Sequence, residues 1–166
     1  MEFFDLAKAV GQRLSNEGLM LVTAESCTGG WVAQAITEVA GSSDWFERGF
    51  VTYSNVSKQE MLGVLLQTLE QFGAVSEETA REMAEGALQH CHAQVAVSVS
   101  GVAGPGGGSV AKPVGTVCFG WARKGAGTVT RTVQLSGDRE AVRRQAVALA
   151  LQGILDLLNR SDHYDG

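Results

Sequence analysis

The sequence predicts an α/β fold with a mixed sheet, and three observations carry that expectation. Two uncharged apolar runs of strand length, at 19–24 and 93–100, each break directly into a small, polar or Gly-rich stretch. Between and around them lie longer segments whose apolar residues recur at helical spacing. Near the C-terminus, Val114 to Ala122 and Gly127 to Leu135 alternate, and Lys124-Gly125-Ala126-Gly127 joins them as a hairpin, so antiparallel strands extend the sheet. With 166 residues, 45% of them hydrophobic, the chain suits a single domain over residues 1–166.

In chain order, Phe3, Leu6, Ala7, Val10 and Leu14 mark a first helix that Gly18 ends. Leu19 to Ala24 is the first strand. Glu25 to Gly30 forms a turn, and a second helix starts near Trp31 and stops at Gly41. Trp45 to Tyr53 reads as a strand with Phe46, Phe50 and Val51 as core candidates. Ser54-Asn55 is an N-cap pair, which predicts a short helix over about 56–62 with Lys58 in its first turn. Residues 63–72 read as a link holding at most one helical turn. Ser76 caps a long amphipathic helix with Glu77 and Glu78 in its first turn, and His90 and His92 at its end suit the negative pole of that helix. Residues 93–100 carry no charge, as expected of a central strand. Ser136-Gly137-Asp138 opens a last helix with the stripe Val147, Ala150, Leu151, Ile154 and Leu158, and Asn159 to Gly166 reads as a frayed polar tail.

Composition narrows the function classes. Thirteen basic against eighteen acidic residues give a net charge of −5, which argues against a nucleic-acid surface. No apolar run reaches membrane-spanning length, and the acidic first residues are unlike a signal peptide. Cys27, Cys91 and Cys118 form neither a disulfide framework nor a Cys-x-x-Cys clip, so a reduced, cytoplasmic setting is expected. His90 and His92 lie on opposite sides of a helix and cannot share a metal there.

Chemistry concentrates at the strand ends. LMLVTAESCTGG at 19–30 delivers Ser26, Cys27 and Thr28 to the C-terminal edge of a sheet, where open α/β sheets bind ligands. The following helix start offers backbone N–H groups to an anion, and Gly29 and Gly30 let a ligand come close. The plainer alternative is that Ser26 or Thr28 only caps that helix. Tyr53 and Ser100 end the neighbouring strands. Lys58 follows Tyr53 by five residues; it is either a solvated surface lysine or a base whose pKa the helix start lowers. Gly101 to Ser109 (GVAGPGGGS) is a second strand-to-loop site without a Walker or dinucleotide fingerprint. Arg139, Arg143 and Arg144 gather at the start of the last helix and suit an anion, or else pair with Asp138 and Glu140. Serine, lysine and tyrosine together are a known solution for acyl transfer where no histidine is at hand. Cys27 is a rival nucleophile without a histidine partner. A binding module that uses the same loop and arginines, with Ser26 as a mere cap, is the competing class.

TAESCTGG at 23–30, Tyr53-Ser-Asn55 with Lys58, SGVAGPGGGS at 100–109, KPVGTV at 112–117 and GDR at 137–139 together resemble the CinA C-terminal family, which includes nicotinamide-nucleotide amidohydrolases. The resemblance spans nearly the whole chain. It implies a three-layer α/β/α sandwich with a mixed, mostly parallel sheet. It implies hydrolysis of nicotinamide mononucleotide to nicotinic acid mononucleotide and ammonia, with no cofactor and no metal. By matching position, Ser26 resembles the nucleophile and Tyr53 and Lys58 its activating pair. Thr28, Gly29, Gly30, Ser100, Gly101, Gly104, Gly106, Gly107 and Arg139 fall in the substrate-binding positions. The chain departs from the commonest pattern at Val56-Ser57, where an acidic and a small residue are frequent, and at Gly106, where aspartate is frequent. The expected partner is a small pyridine nucleotide, not nucleic acid or membrane, and a homo-oligomer is left open. Some members carry a larger N-terminal domain.

Overall fold

The computed structural model describes the backbone of residues 3–164 and the side chains of residues 3–160. The elements are α1 (Phe3–Glu17), β1 (Leu21–Glu25), α2 (Trp31–Thr37), β2 (Phe46–Val51), α3 (Asn55–Leu62), α4 (Leu66–Phe72), α5 (Glu77–Gln89), β3 (Val95–Gly101), β4 (Thr116–Arg123), β5 (Val129–Gln134) and α6 (Arg139–Tyr164). The five strands lie in the order β2-β1-β3-β4-β5. β1 pairs parallel with both β2 and β3, whereas β4 runs antiparallel to β3 and to β5. Four strands therefore share one direction and β4 alone opposes it. The uncharged run at 93–100 becomes the middle strand.

The two faces of the sheet are built differently. One presents large side chains, Val95, Val97, Val99, Phe119 and Trp121, to α1, α2 and α6. All five stripe residues of α6 are buried there. The other face presents Ala24, Ala96, Ser98, Gly120 and Ala122. A Cβ on Gly120 would lie 2.7 Å from the Ala80 carbonyl oxygen, so only glycine lets α5 settle this closely. Ser98 makes use of the same proximity, its hydroxyl donating to Ala80 O at 2.6 Å. Helices thus cover both faces in three layers.

Two segments depart from their sequence patterns. Residues 66–72 form a full helix of seven residues, stabilised by Glu82 of α5, whose carboxylate accepts from Leu65 N–H and the Thr68 hydroxyl. β2 is an edge strand, so Val51 is 48% exposed and Phe46 and Phe50 are only half-buried. The buried apolar residue of that segment is Trp45, whose ring packs against Gly11 of α1. The expected C-terminal tail is helical as far as Tyr164, and its last two residues lie outside those described. At the end of α5, His90 Nδ1 sits 2.7 Å from the Gly86 carbonyl oxygen. No helix among the described residues is long and apolar enough to cross a membrane.

Candidate active site

The chain leaves β1 for β2 on one side and returns through α3, α4 and α5 to β3 on the other. The carboxyl ends of β1 and β3 therefore adjoin where the strand order reverses, a natural ligand crevice. Ser26 N–H donates to Val99 O at 2.9 Å, carrying the β1–β3 pairing one residue past β1 and fixing the serine at the rim. Ser100, the last but one residue of β3, lies beside it, and its hydroxyl donates to Ala74 O at 2.7 Å. A cavity of about 230 Å³ opens between them. Ser26, Tyr53, Lys58, Ser100, Gly101 and Arg139 line it, and so do Cys27, Asn55, Ala74, Val75 and Ala103.

Lys58 is only 1% exposed, which excludes the solvated-surface alternative. Ser54 caps α3 through a reciprocal pair of contacts with Ser57, and this sets the first turn that points Lys58 inward. Lys58 Nζ lies 3.0 Å from Ser26 Oγ, 2.9 Å from Thr52 O and 3.5 Å from Tyr53 O. Its neighbours are a hydroxyl and two carbonyls, and burial pushes its pKa down from the usual lysine range. α3 owes its depth to Gly86 of α5, where a Cβ would lie 1.8 Å from Leu62 O.

Tyr53 contributes to Lys58 through its carbonyl alone. Its ring is 64% exposed at the cavity mouth, and its hydroxyl takes a hydrogen bond from Arg139 Nη2 at 3.1 Å. Arg139 Nη1 donates to Gly104 O at 2.8 Å, so this arginine bridges the tyrosine and the Gly-rich loop. Gly101 is packed against Val117, where a side chain would collide at 2.8 Å. Gly106 and Gly107 do not line the cavity; a Cβ on Gly106 would meet nothing within 4 Å.

The cap of α2 is neither Ser26 nor Thr28. Glu25, 1% exposed, turns its carboxylate onto the helix start: Oε1 accepts from Val32 N–H at 2.9 Å and Oε2 from Ala33 N–H at 3.1 Å. Thr28 donates its hydroxyl to the same carboxylate at 2.6 Å, which turns that side chain away from the cavity. Gly29 and Gly30 take φ of 59° and 102°, the left-handed turn a side chain would oppose. With Glu25 capping the helix, Ser26 Oγ is left to Lys58.

The arginine cluster divides three ways. Arg139 alone reaches the cavity. Arg143 donates from Nε to Cys27 O at 3.0 Å and from Nη2 to Thr28 O at 3.1 Å, with its guanidinium 5.5 Å from the Trp31 ring centre. Arg144 pairs with Glu140 and lies over Phe3 and Trp31. Cys27 is 5% exposed, and burial pushes its thiol up to about 11, so it holds almost no thiolate near neutrality. Among the described residues, no group of three or more His, Cys, Asp or Glu is placed to hold a metal.

Glu25 and the chain segment at Ala74-Val75 were not visible as site components from sequence, and Arg143, expected to suit an anion, instead holds the Cys27 and Thr28 carbonyls. The signal for Glu25 was weak but present: a carboxylate ending an apolar strand seven residues before a helical N–H.

Residues 4–158 match the CinA C-terminal domain. The chain is 59% identical over 151 residues to nicotinamide-nucleotide amidohydrolase PncC of Escherichia coli strain K12, covering 91% of this chain and 92% of that protein. It is 54% identical over 154 residues to a putative competence-damage inducible protein of Symbiobacterium thermophilum, covering 88% of this chain but 36% of that longer one. Among solved structures, it superposes on the competence/damage inducible protein CihA of Agrobacterium tumefaciens with a TM-score of 0.91 and 46% identity, over 95% of each chain. The chain belongs to the CinA C-terminal domain family.

Proposed function

We propose that this protein hydrolyses the carboxamide of nicotinamide mononucleotide, giving nicotinic acid mononucleotide and ammonia. The observation that carries the proposal is the 3.0 Å contact between Ser26 Oγ and a buried Lys58 that has no carboxylate partner among the described residues. The name of the Escherichia coli relative, nicotinamide-nucleotide amidohydrolase, points to the substrate.

A neutral lysine has two N–H bonds and one lone pair. The carbonyls of Thr52 and Tyr53 take the two N–H bonds, which leaves the lone pair for the Ser26 hydroxyl. Lys58 accepts that proton as Oγ attacks the carboxamide carbon. The tetrahedral oxyanion is held by backbone N–H groups of the turn after Ser26; one such donor is typically worth about 3 kcal/mol. Of these, the Cys27 and Thr28 N–H groups have no oxygen acceptor among the described residues, whereas Gly29 N–H donates to Ser26 O. Collapse breaks the C–N bond, Lys58 returns its proton to the leaving nitrogen, and ammonia departs. Water, deprotonated by Lys58, then attacks the acyl-enzyme and releases the acid and Ser26. Arg139 and Tyr53 act at the other end of the cavity, where the arginine exchanges its contacts for the substrate phosphate. That remote binding energy holds the amide in attack geometry.

The experiment is ammonia release from nicotinamide mononucleotide by the purified protein and by Ser26→Ala. Release by the wild type alone supports the proposal. Equal silence of both, with nucleotide still bound, favours a binding module; equal release removes Ser26 as the nucleophile.

A further inference from the structure

The geometry points to Arg143 as a positioning residue that sets the oxyanion donor, a role that rests on the Ser26 mechanism just proposed. The peptide joining Cys27 to Thr28 is the first after the serine. Its carbonyl oxygen has one partner among the described residues, Arg143 Nε at 3.0 Å. Its N–H, on Thr28, has no oxygen acceptor, although Thr28 is fully buried. A buried N–H without an acceptor is costly, so such a group is kept only where something supplies an acceptor in turn. In a planar trans peptide the C=O and N–H point in opposite directions. By holding Cys27 O on its own side, Arg143 keeps the Thr28 N–H directed away from itself.

Loss of that contact frees the peptide to flip. A flip would put a carbonyl oxygen where the N–H stood, turning a donor for the developing oxyanion into a repelling dipole. The next peptide is better secured, since Thr28 O accepts from both Arg143 Nη2 and Trp31 N–H. The weak point is therefore the 27–28 plane, and Arg143 is its lock. The guanidinium is itself fixed: it spans two carbonyls at once, lies 5.5 Å from the Trp31 ring centre, and would touch any Cβ on Gly29 at 3.4 Å. A planar fork with donors at Nε and Nη2 can bridge successive carbonyls; an ammonium cannot.

The test reads the serine directly, without the nucleotide. A small alkyl fluorophosphonate phosphonylates an activated serine, with loss of fluoride, and its phosphoryl oxygen takes the oxyanion position. The second-order rate of Ser26 labelling is followed by intact mass for wild type, Arg143→Ala, Arg143→Lys and Arg144→Ala, each normalised to its folded fraction. Arg144→Ala removes a neighbouring arginine from the same Trp31 ring without touching either carbonyl, and it should label as fast as wild type. Arg143→Ala should label about 100-fold more slowly. Arg143→Lys should lie between, and guanidinium ion should restore part of the Arg143→Ala rate. Labelling of Arg143→Ala within twofold of wild type would overturn the role, and so would equal slowing in Arg144→Ala. Ammonia release is measured separately, so a protein labelled at Ser26 but inert toward the nucleotide would remove the proposed substrate and leave the role of Arg143 standing.

Discussion

Lys58→Arg puts the acid–base step to its hardest test. The substitution keeps a cation and much of the length but replaces a group whose burial favours loss of its proton with a guanidinium that keeps its own. Lys58 Nζ stands 3.0 Å from Ser26 Oγ, close enough for the proposed proton transfer to be direct. Burial lowers the lysine pKa, and the only opposing influence is Cys27, whose thiol stays neutral up to about 11. Among the described residues, the oxygens around Nζ are one hydroxyl and two carbonyls, and none is a carboxylate that would hold the ammonium form. The sign follows: the working form is the deprotonated one, so activity rises with pH through the lowered lysine pKa and then levels. Below that pKa each pH unit should cost about tenfold in kcat/KM, equivalent to about 1.4 kcal/mol. A positioned base contributes roughly 10²–10⁴ in rate, or about 3–5 kcal/mol, and Lys58→Arg should lose that amount at every pH. The assay is initial ammonia release from nicotinamide mononucleotide at constant ionic strength, from acid to alkaline pH. A Lys58→Arg variant within tenfold of wild type, or one retaining the same acid limb, would refute the assignment of Lys58 as base.

Ser26→Ala should abolish turnover while nucleotide still binds by calorimetry, whereas Cys27→Ala should keep most of its kcat, because a thiol pushed up to about 11 supplies no nucleophile. Arg139→Ala should weaken kcat/KM for the mononucleotide by about 2–3 kcal/mol, roughly 30–150-fold, while barely changing nicotinamide riboside, which lacks the phosphate. An unchanged ratio of the two specificity constants would place the phosphate elsewhere. Glu25→Gln keeps the volume but turns one acceptor into a donor among Val32 N–H, Ala33 N–H and the Thr28 hydroxyl. It should lower unfolding stability by about 1–3 kcal/mol, read from the urea midpoint at unchanged slope.

The parts of this fold that were legible in sequence are those whose environment is set locally. The strand-to-turn break after Ala24, the Ser54 cap and the uncharged run before Ser100 each carry their own signal, and each marks a wall of the cavity. What escaped is what depends on partners far along the chain. Phe50 and Val51 look like core because an edge strand and an inner strand share the same apolar pattern; only the strand order exposes them. Residues 66–72 are too short to announce a helix, and Glu82 supplies the missing stability. The arginines at 139, 143 and 144 read as one cluster, yet their helical positions point to different neighbours, so one meets the cavity, one the turn after Ser26 and one Glu140 with the Phe3 and Trp31 rings. Tyr53 lies five residues before Lys58 and was read with it as a pair, but its hydroxyl extends to Arg139 and leaves only its carbonyl at the lysine.

The contacts that assemble this cavity have a consequence for when the protein becomes active during its own synthesis. Ser26 meets Lys58 across 32 residues, Tyr53 meets Arg139 across 86, and Arg143 reaches Cys27 across 116. The last helix therefore supplies both the arginine at the mouth and the one that holds the Cys27 and Thr28 carbonyls. A nascent chain that has emerged only through β5 carries Ser26 and Lys58 but neither arginine, and β4 and β5 lack the apolar cover that α6 gives them. Catalytic competence should arise in one late step, when α6 leaves the ribosome and docks. Ammonia release can then serve as a readout of completed folding, silent in every shorter chain.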